Sequence, residues 1–218
     1  MPRVSFTAAT SEIARRDRVM KRLVRDAGPF RLARPTTDDF AALAESILYQ
    51  QLAGAAAAAI HRRFLALFPG GAVTPEAALS MPEERLRAAG LSGSKAASIR
   101  DLAAKATDGT VPLEGIRRRE DDDIVALLSQ VRGIGRWTAE MFLIFQLRRL
   151  NVWPVDDYGV RKGYALAYGL SELPTPRELQ AEGERFRPLR TVAAWYCWRA
   201  VDTILPGVNP EGRGRSAR

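Results

Sequence analysis

The sequence predicts an all-α fold. Apolar residues recur at helical spacing along the chain, no run alternates with the strand period of two, and Gly or Pro closes segment after segment at helix-like lengths.

Taken in order, "SEIARRDRVMKRLVRDAGPF" reads as one basic amphipathic helix over 11–26, stopped by Gly28. Helices over 37–50 and 53–68 follow, the second ended by Pro69–Gly71. Within its alanine run, Leu52, Ala56, Ala59, Ile60, Phe64 and Leu67 keep helical spacing, so the small residues suit close helix packing. Short helices over 75–80 and 82–89, the latter ended by Gly90, lead to one over 94–107. An amphipathic helix over 120–130 and a very apolar one over 136–149 come next, then 157–168 closed by Gly169, and a last segment over 175–204 broken near Pro188. Thr175, Pro176 and Glu178 combine a capping box with proline at the first helical position. The tail "PGVNPEGRGRSAR" has no apolar periodicity, and 206–218 is expected to be a disordered basic extension.

At 218 residues and 46% hydrophobic, the chain can bury a core as one large domain or as two lobes sharing a cleft. Lys and Arg number 33 against 25 Asp and Glu, a net charge of +8 that suits a polyanion such as nucleic acid or a membrane surface. No stretch approaches the roughly 18 apolar residues of a membrane span, and the N-terminus lacks the apolar core of a secretory signal. A soluble, cytoplasmic, nucleoid-associated protein is expected. The single cysteine, Cys197, excludes an internal disulfide and a four-cysteine zinc or iron–sulfur site. His61 is the only histidine, has no serine–aspartate partners suited to a triad, and reads as a surface helix residue.

The stretch "DDDIVALLSQVRGIGRWTAEMFLIFQL" forms one unit: an amphipathic helix, a Gly-Ile-Gly turn, and a helix expected to bury Met141, Phe142, Ile144 and Phe145. This is a helix-hairpin-helix. Gly133 and Gly135 are expected at positive φ, with their amides near a ligand and the next helix offering its N-terminal N–H groups. Such a concavity suits a phosphate, and Arg132 and Arg136 add charge that reads the DNA backbone without reading sequence. Further on, in "NVWPVDDYGVRKGYALAYG", Asp156 and Asp157 open a helix, where a carboxylate serves as an N-cap and is held as the anion.

Together these segments resemble the helix-hairpin-helix DNA glycosylase superfamily, and within it the 3-methyladenine DNA glycosylase II branch. Three more stretches share the likeness in the family's order, "ESILYQQLAGAAAAAIHRRF", "LRAAGLSGSKAASIRDLA" and "RFRPLRTVAAWYCWRAVD", and the matching region covers about residues 38 to 205. The resemblance implies two helical lobes around a cleft, residues 37–111 in one and 1–36 with 112–205 in the other. Larger bacterial relatives carry an extra β-rich N-terminal domain; with about 37 residues before the matching region, a form without it is expected. The implied activity is base-excision repair of alkylation damage: a monomer binds double-stranded DNA, flips out a base of the 3-methyladenine type and hydrolyses its N-glycosidic bond.

The resemblance also assigns residues. In the family the catalytic aspartate is followed three positions later by a buried aliphatic; Asp157 has Val160 there and Asp156 has Gly159, so Asp157 is the candidate and Asp156 a cap or loop residue. Asp157 would stabilise positive charge growing on the sugar and orient water. Members that also cut the strand carry an amine nucleophile after Gly-Ile-Gly-Arg; Trp137 stands there, implying a monofunctional enzyme that leaves an abasic site. Trp137 is the leading base-pocket residue, with Tyr49, Gln50, Tyr158 and Trp195 beside it and Trp153 a weaker candidate. Of Trp195, Tyr196 and Trp198, one is expected to line the pocket, core packing being the alternative for each. Gln51 matches the DNA wedge, the alternative being an ordinary turn glutamine. Lys95 matches a lysine facing the DNA backbone, the alternative being a solvated residue at a helix start. Carbonyls of Ser129, Val131 and Ile134 match a site for a sodium or potassium ion; no cofactor is required and no iron–sulfur cluster is expected. The rival reading is a catalytically silent, sequence-neutral DNA-binding module, which explains the charge and the hairpin but not an acidic pair beside them.

Overall fold

A computed structural model describes residues 5–36, 38–52 and 54–204, and its regular elements are all helical. In chain order they are α1 (Phe6–Arg16), α2 (Arg18–Ala27), α3 (Asp39–Tyr49), α4 (Gly54–Leu65), α5 (Pro75–Ser80), α6 (Glu83–Ala88), α7 (Gly93–Thr107), α8 (Asp121–Leu128), α9 (Arg136–Met141), α10 (Tyr158–Tyr168), α11 (Pro176–Gly183) and α12 (Arg190–Ile204). None of the described helices is long and apolar enough to cross a membrane. The described residues divide into two units: 34–147 form one, and 5–33 join 148–204 in the other. The tail expected over 206–218 lies outside the described residues.

In the unit 34–147, α3 packs against α4 and α7, α5 against α7, and α8 against α9. Its buried side chains include Leu43, Ile47, Phe64, Leu86, Ile99, Leu102, Ile124 and Phe142. Each large side chain withdrawn from water contributes about 1.5–3 kcal/mol. The helix expected over 136–149 stops early: α9 passes into a π-helical turn, Phe142–Gln146, that packs on α3. The wider turn buries Phe142, Leu143 and Ile144 but leaves Phe145 41% exposed and Met141 half-buried, correcting the expectation that all four apolar residues face inward. Buried Gln146 fastens this turn, accepting from the Thr36 N–H at 3.1 Å and donating to the Thr36 carbonyl at 3.0 Å and Asp39 Oδ1 at 2.8 Å. These contacts place 112–147 with 34–111, and the boundary at Leu147 replaces the one expected at 111.

In the other unit, the expected single N-terminal helix is two. Asp17 leaves the helical region (φ −138°, ψ 129°) and caps α2, accepting from the N–H groups of Val19 and Met20 at 2.8 and 2.9 Å. A short acidic side chain that competes for nearby amides ends one helix and starts the next. Behind it, α10 and α12 pack most closely at Gly163, where a Cβ would lie 1.8 Å from the Cys197 carbonyl oxygen. Ile13, Met20, Leu23, Phe30, Val160 and Val192 share the core around that crossing. The capping box of Thr175 and Glu178 forms as expected at α11.

Candidate active site

Pro154 and the loop after it deliver Asp157 to the N-terminus of α10, where its side chain is buried while Asp156 is exposed. Asp157 Oδ1 accepts two hydrogen bonds, from the Val160 N–H and from Trp198 Nε1–H, both at 2.9 Å. The amide bond is the expected cap; the indole bond is new. Gly159 makes room for the pair, since a Cβ there would lie 2.9 Å from Trp198 Cδ1 and 3.0 Å from Asp157 Oδ1. Trp198 is therefore the α12 aromatic that bonds the aspartate, a contact the sequence reading, which favoured Trp195 for the base pocket, did not assign. Trp195 instead packs edge-on against Phe30 (5.6 Å) and Tyr196 (4.9 Å), and the buried Tyr196 donates to the Gly28 carbonyl at 2.9 Å. Trp153 is also core, its Nε1–H donating to Leu179 at 2.7 Å. Tyr158, the first residue of α10, is 55% exposed with the Lys162 ammonium 5.9 Å from its ring centre. Cys197 is fully buried, and burial pushes its thiol up.

The hairpin lies in the other unit. Gly133 has φ +77°, and a Cβ on it would meet Ser98 Oγ at 2.6 Å, so both backbone and space require glycine. Gly135 departs from the expectation: it is extended (φ −94°, ψ 178°), caps α9 without a side chain, and a Cβ there would meet no protein atom within 4 Å. Two α7 residues brace the turn. Asp101 Oδ2 accepts from the Arg132 N–H and from the Lys105 ammonium, each at 2.7 Å, while Lys105 also donates to the Gln130 carbonyl at 2.7 Å. Burial works to raise the Asp101 carboxyl, but the Lys105 ammonium and the Arg132 amide outweigh it and its pKa falls below the ordinary value. Arg132 and Arg136 are exposed, Arg136 lying 3.5 Å from the buried Glu140. Trp137 is half-buried on the first turn of α9. Of the carbonyls suggested for a cation, Val131 accepts the Ile134 N–H at 3.0 Å, which uses one of its two lone pairs.

Beside the hairpin stands the end of α3. Gln50 Nε2 donates to the Gly133 carbonyl at 2.9 Å and to Thr138 Oγ1 at 3.2 Å, so its amide supports the turn, a task the sequence did not signal in placing it at the base pocket. Lys95 likewise has another task than the expected phosphate contact: its ammonium donates to the carbonyls of Leu48 and Gln50, both at 2.7 Å, and burial lowers its pKa. Gln51 is exposed at φ +55°, a strained conformation for a residue with a Cβ. Tyr49 is half-buried, its ring edge-on to His61 at 5.8 Å.

A family model described as "HhH-GPD superfamily base excision DNA repair protein" matches residues 44–188. Among curated proteins, DNA-3-methyladenine glycosylase 1 of Schizosaccharomyces pombe is 36% identical over 199 residues, 89% of this chain and 87% of its own length. The fold is similar to the solved structure of the 3-methyladenine DNA glycosylase of Schizosaccharomyces pombe in complex with abasic DNA, with TM-score 0.82 and 35% identity over 90% of this chain and 97% of that one. It is similar also to the crystal structure of a DNA-3-methyladenine glycosidase from Bacillus halodurans, with TM-score 0.81 and 33% identity over 90% of each chain.

Proposed function

The chain belongs to the HhH-GPD superfamily of base-excision DNA repair proteins, and we propose that it is a monofunctional DNA-3-methyladenine glycosylase that leaves an abasic site. The observation that carries this reading is Asp157, a buried carboxylate held on one oxygen by an amide and an indole N–H at a helix N-terminus. Both donors fix the carboxylate in one orientation, so no reorganisation is needed when charge develops on a nearby sugar.

A stacked base is out of reach, so the nucleotide is flipped at a cost of a few kcal/mol. Gln51, exposed in a strained backbone conformation, is suited to fill the vacated gap as the wedge. The Arg132 amide is taken by Asp101 and the Ile134 amide by Val131, so the glycine amides of the turn and the start of α9 meet the phosphate, with the Arg132 and Arg136 side chains beside it. Backbone carbonyls are the hard oxygen donors that a sodium or potassium ion takes, and Ser129, Val131 and Ile134 would hold one there, offsetting phosphate charge.

An alkylated, cationic base gains about 0.5–2 kcal/mol over an aromatic face, the role given to Trp137, with Tyr49 and Tyr158 as further candidates. The same positive charge weakens the glycosidic bond, so the leaving base needs little protonation. Asp157 stabilises the cationic sugar and orients the water that attacks it. Trp137 has no amine to form a Schiff base, which makes hydrolysis the outcome. The protein acts on double-stranded DNA inside the cell as a monomer.

The test is base release from duplex DNA containing 3-methyladenine, comparing the wild-type chain with Asp157→Asn. The wild type is expected to release the base and give no borohydride-trapped adduct, and the variant to lose roughly 10²–10³-fold in single-turnover rate while still binding the duplex. Tight binding with no release of any alkylated base would support the silent DNA-binding module; undiminished release by the variant would move the catalytic role away from Asp157.

A further inference from the structure

The residues between α3 and the hairpin form a continuous brace. Lys95, at the start of α7, grips the carbonyls of Leu48 and Gln50 that close α3. The Gln50 side chain grips the Gly133 carbonyl and the Thr138 hydroxyl on either side of the Gly135 cap. Gln51 follows directly in the strained positive-φ conformation. An ammonium partly withdrawn from water is expensive unless its donors are used, and here two of its three are spent on carbonyls that no longer have helix partners. Surface lysines ordinarily remain in water, so this one is placed at a cost.

From this juxtaposition we propose that Lys95 and Gln50 are positioning residues for base flipping: they lock the Gln51 wedge onto the phosphate-gripping hairpin so that both engage the DNA in one register. The inference rests on the reading of Gln51 as wedge. The backbone strain at Gln51 persists only where surrounding contacts over-determine it, and the flanking contacts are these. The lysine holds the carbonyl of Gln50, immediately before the strained residue, while the amide of the same Gln50 is tied to the turn. Releasing either end lets the loop relax to ordinary dihedrals and withdraw its side chain.

The test reads unstacking separately from chemistry. Fluorescence of 2-aminopurine in a duplex, placed next to the flipping position, is followed on binding the wild type, Lys95→Met, Lys95→Arg, Gln50→Leu and Gln51→Ala. Base release is measured in parallel with 3-methyladenine paired normally or set opposite an abasic site, where unstacking is already easier. Lys95→Met and Gln50→Leu are expected to lose most of the fluorescence rise and roughly tenfold in release from the paired lesion, with a much smaller loss on the unpaired one, and Lys95→Arg to recover both. Combining Lys95→Met with Gln51→Ala is expected to do no more than Gln51→Ala alone, because both remove the same wedge. An unchanged fluorescence rise in Lys95→Met and Gln50→Leu, equal losses on the two lesions, or additive effects with Gln51→Ala would overturn the proposal. A wild type that binds without any fluorescence rise would remove the wedge and the brace together, whereas a normal rise without base release counts against the glycosylase reading alone.

Discussion

A carboxylate that must carry negative charge through a reaction is only as well placed as the donors that hold it. For Asp157 these include the Val160 amide and the Trp198 indole, both on Oδ1. A hydrogen bond to a charged acceptor contributes about 1.5–3 kcal/mol, so Trp198→Phe, which keeps an aromatic ring but deletes the donor, is expected to lower the single-turnover rate about 10- to 100-fold. Duplex affinity should hardly change, and a fall in affinity matching the fall in rate would instead make Trp198 a binding residue. Gly159→Ala reaches the same pair from the other side, because its Cβ would press on Trp198 Cδ1 and Asp157 Oδ1. It should cost rate as Trp198→Phe does, with a lowered Tm besides. That an aspartate caps this helix was legible in the sequence, because a carboxylate at a helix start is a local signal, whereas the choice of Asp157 over Asp156 came from the family resemblance. The indole was not: Trp195, Tyr196 and Trp198 sit on one helix, and only packing against Phe30 and the Gly28 carbonyl decides which two are occupied elsewhere. Gly159, on the first turn of α10, was the available sign that something must lie close.

At the scale of elements, the two hairpin glycines look alike in sequence and do different work. Gly133 satisfies the fold, with positive φ and Ser98 against it; Gly135 has ordinary dihedrals and open space where a Cβ would be. Gly133→Ala is therefore expected to destabilise the protein by about 1–3 kcal/mol, visible as a lowered Tm. Gly135→Ala should leave Tm within a few degrees while weakening duplex binding, since the methyl group intrudes only where a phosphate would approach. Equal Tm losses in the two variants, or unchanged binding in the second, would contradict that division. Most helices were readable because capping residues and glycine stops act locally. Two features escaped. Asp17 sits within a run that keeps its basic, amphipathic character on both sides, so its capping outweighed an unbroken pattern only once the amides of Val19 and Met20 were in place. The π turn at Phe142–Gln146 depends on the buried Gln146 reaching Thr36 and Asp39, more than a hundred residues away in sequence, and no local pattern encodes such a contact.

For the whole molecule the question is whether its net charge of +8 or a few particular cations set DNA affinity. Counterion release makes the answer measurable, because each phosphate neutralised adds about 0.9 to the slope of log affinity against log salt. Arg132 is the informative position: its side chain is exposed, and its place in the turn is secured by its amide on Asp101, so removing the guanidinium leaves the hairpin standing. Arg15 is the control, a guanidinium 72% exposed but already paired with Glu12 at 2.8 Å. Both replacements by alanine remove one formal charge. If local contact governs, Arg132→Ala lowers the slope by about one and weakens lesion-bearing and undamaged duplexes alike, while Arg15→Ala leaves the slope where it was. If the overall field governs, the two variants shift the slope equally. The first outcome is expected, since charges beyond about one Debye length, roughly 8–10 Å, are largely screened at working salt. Fluorescence anisotropy over a salt series distinguishes the two, and a single-turnover rate unchanged in Arg132→Ala at saturating protein would further show that this contact holds the backbone without entering the chemistry at Asp157.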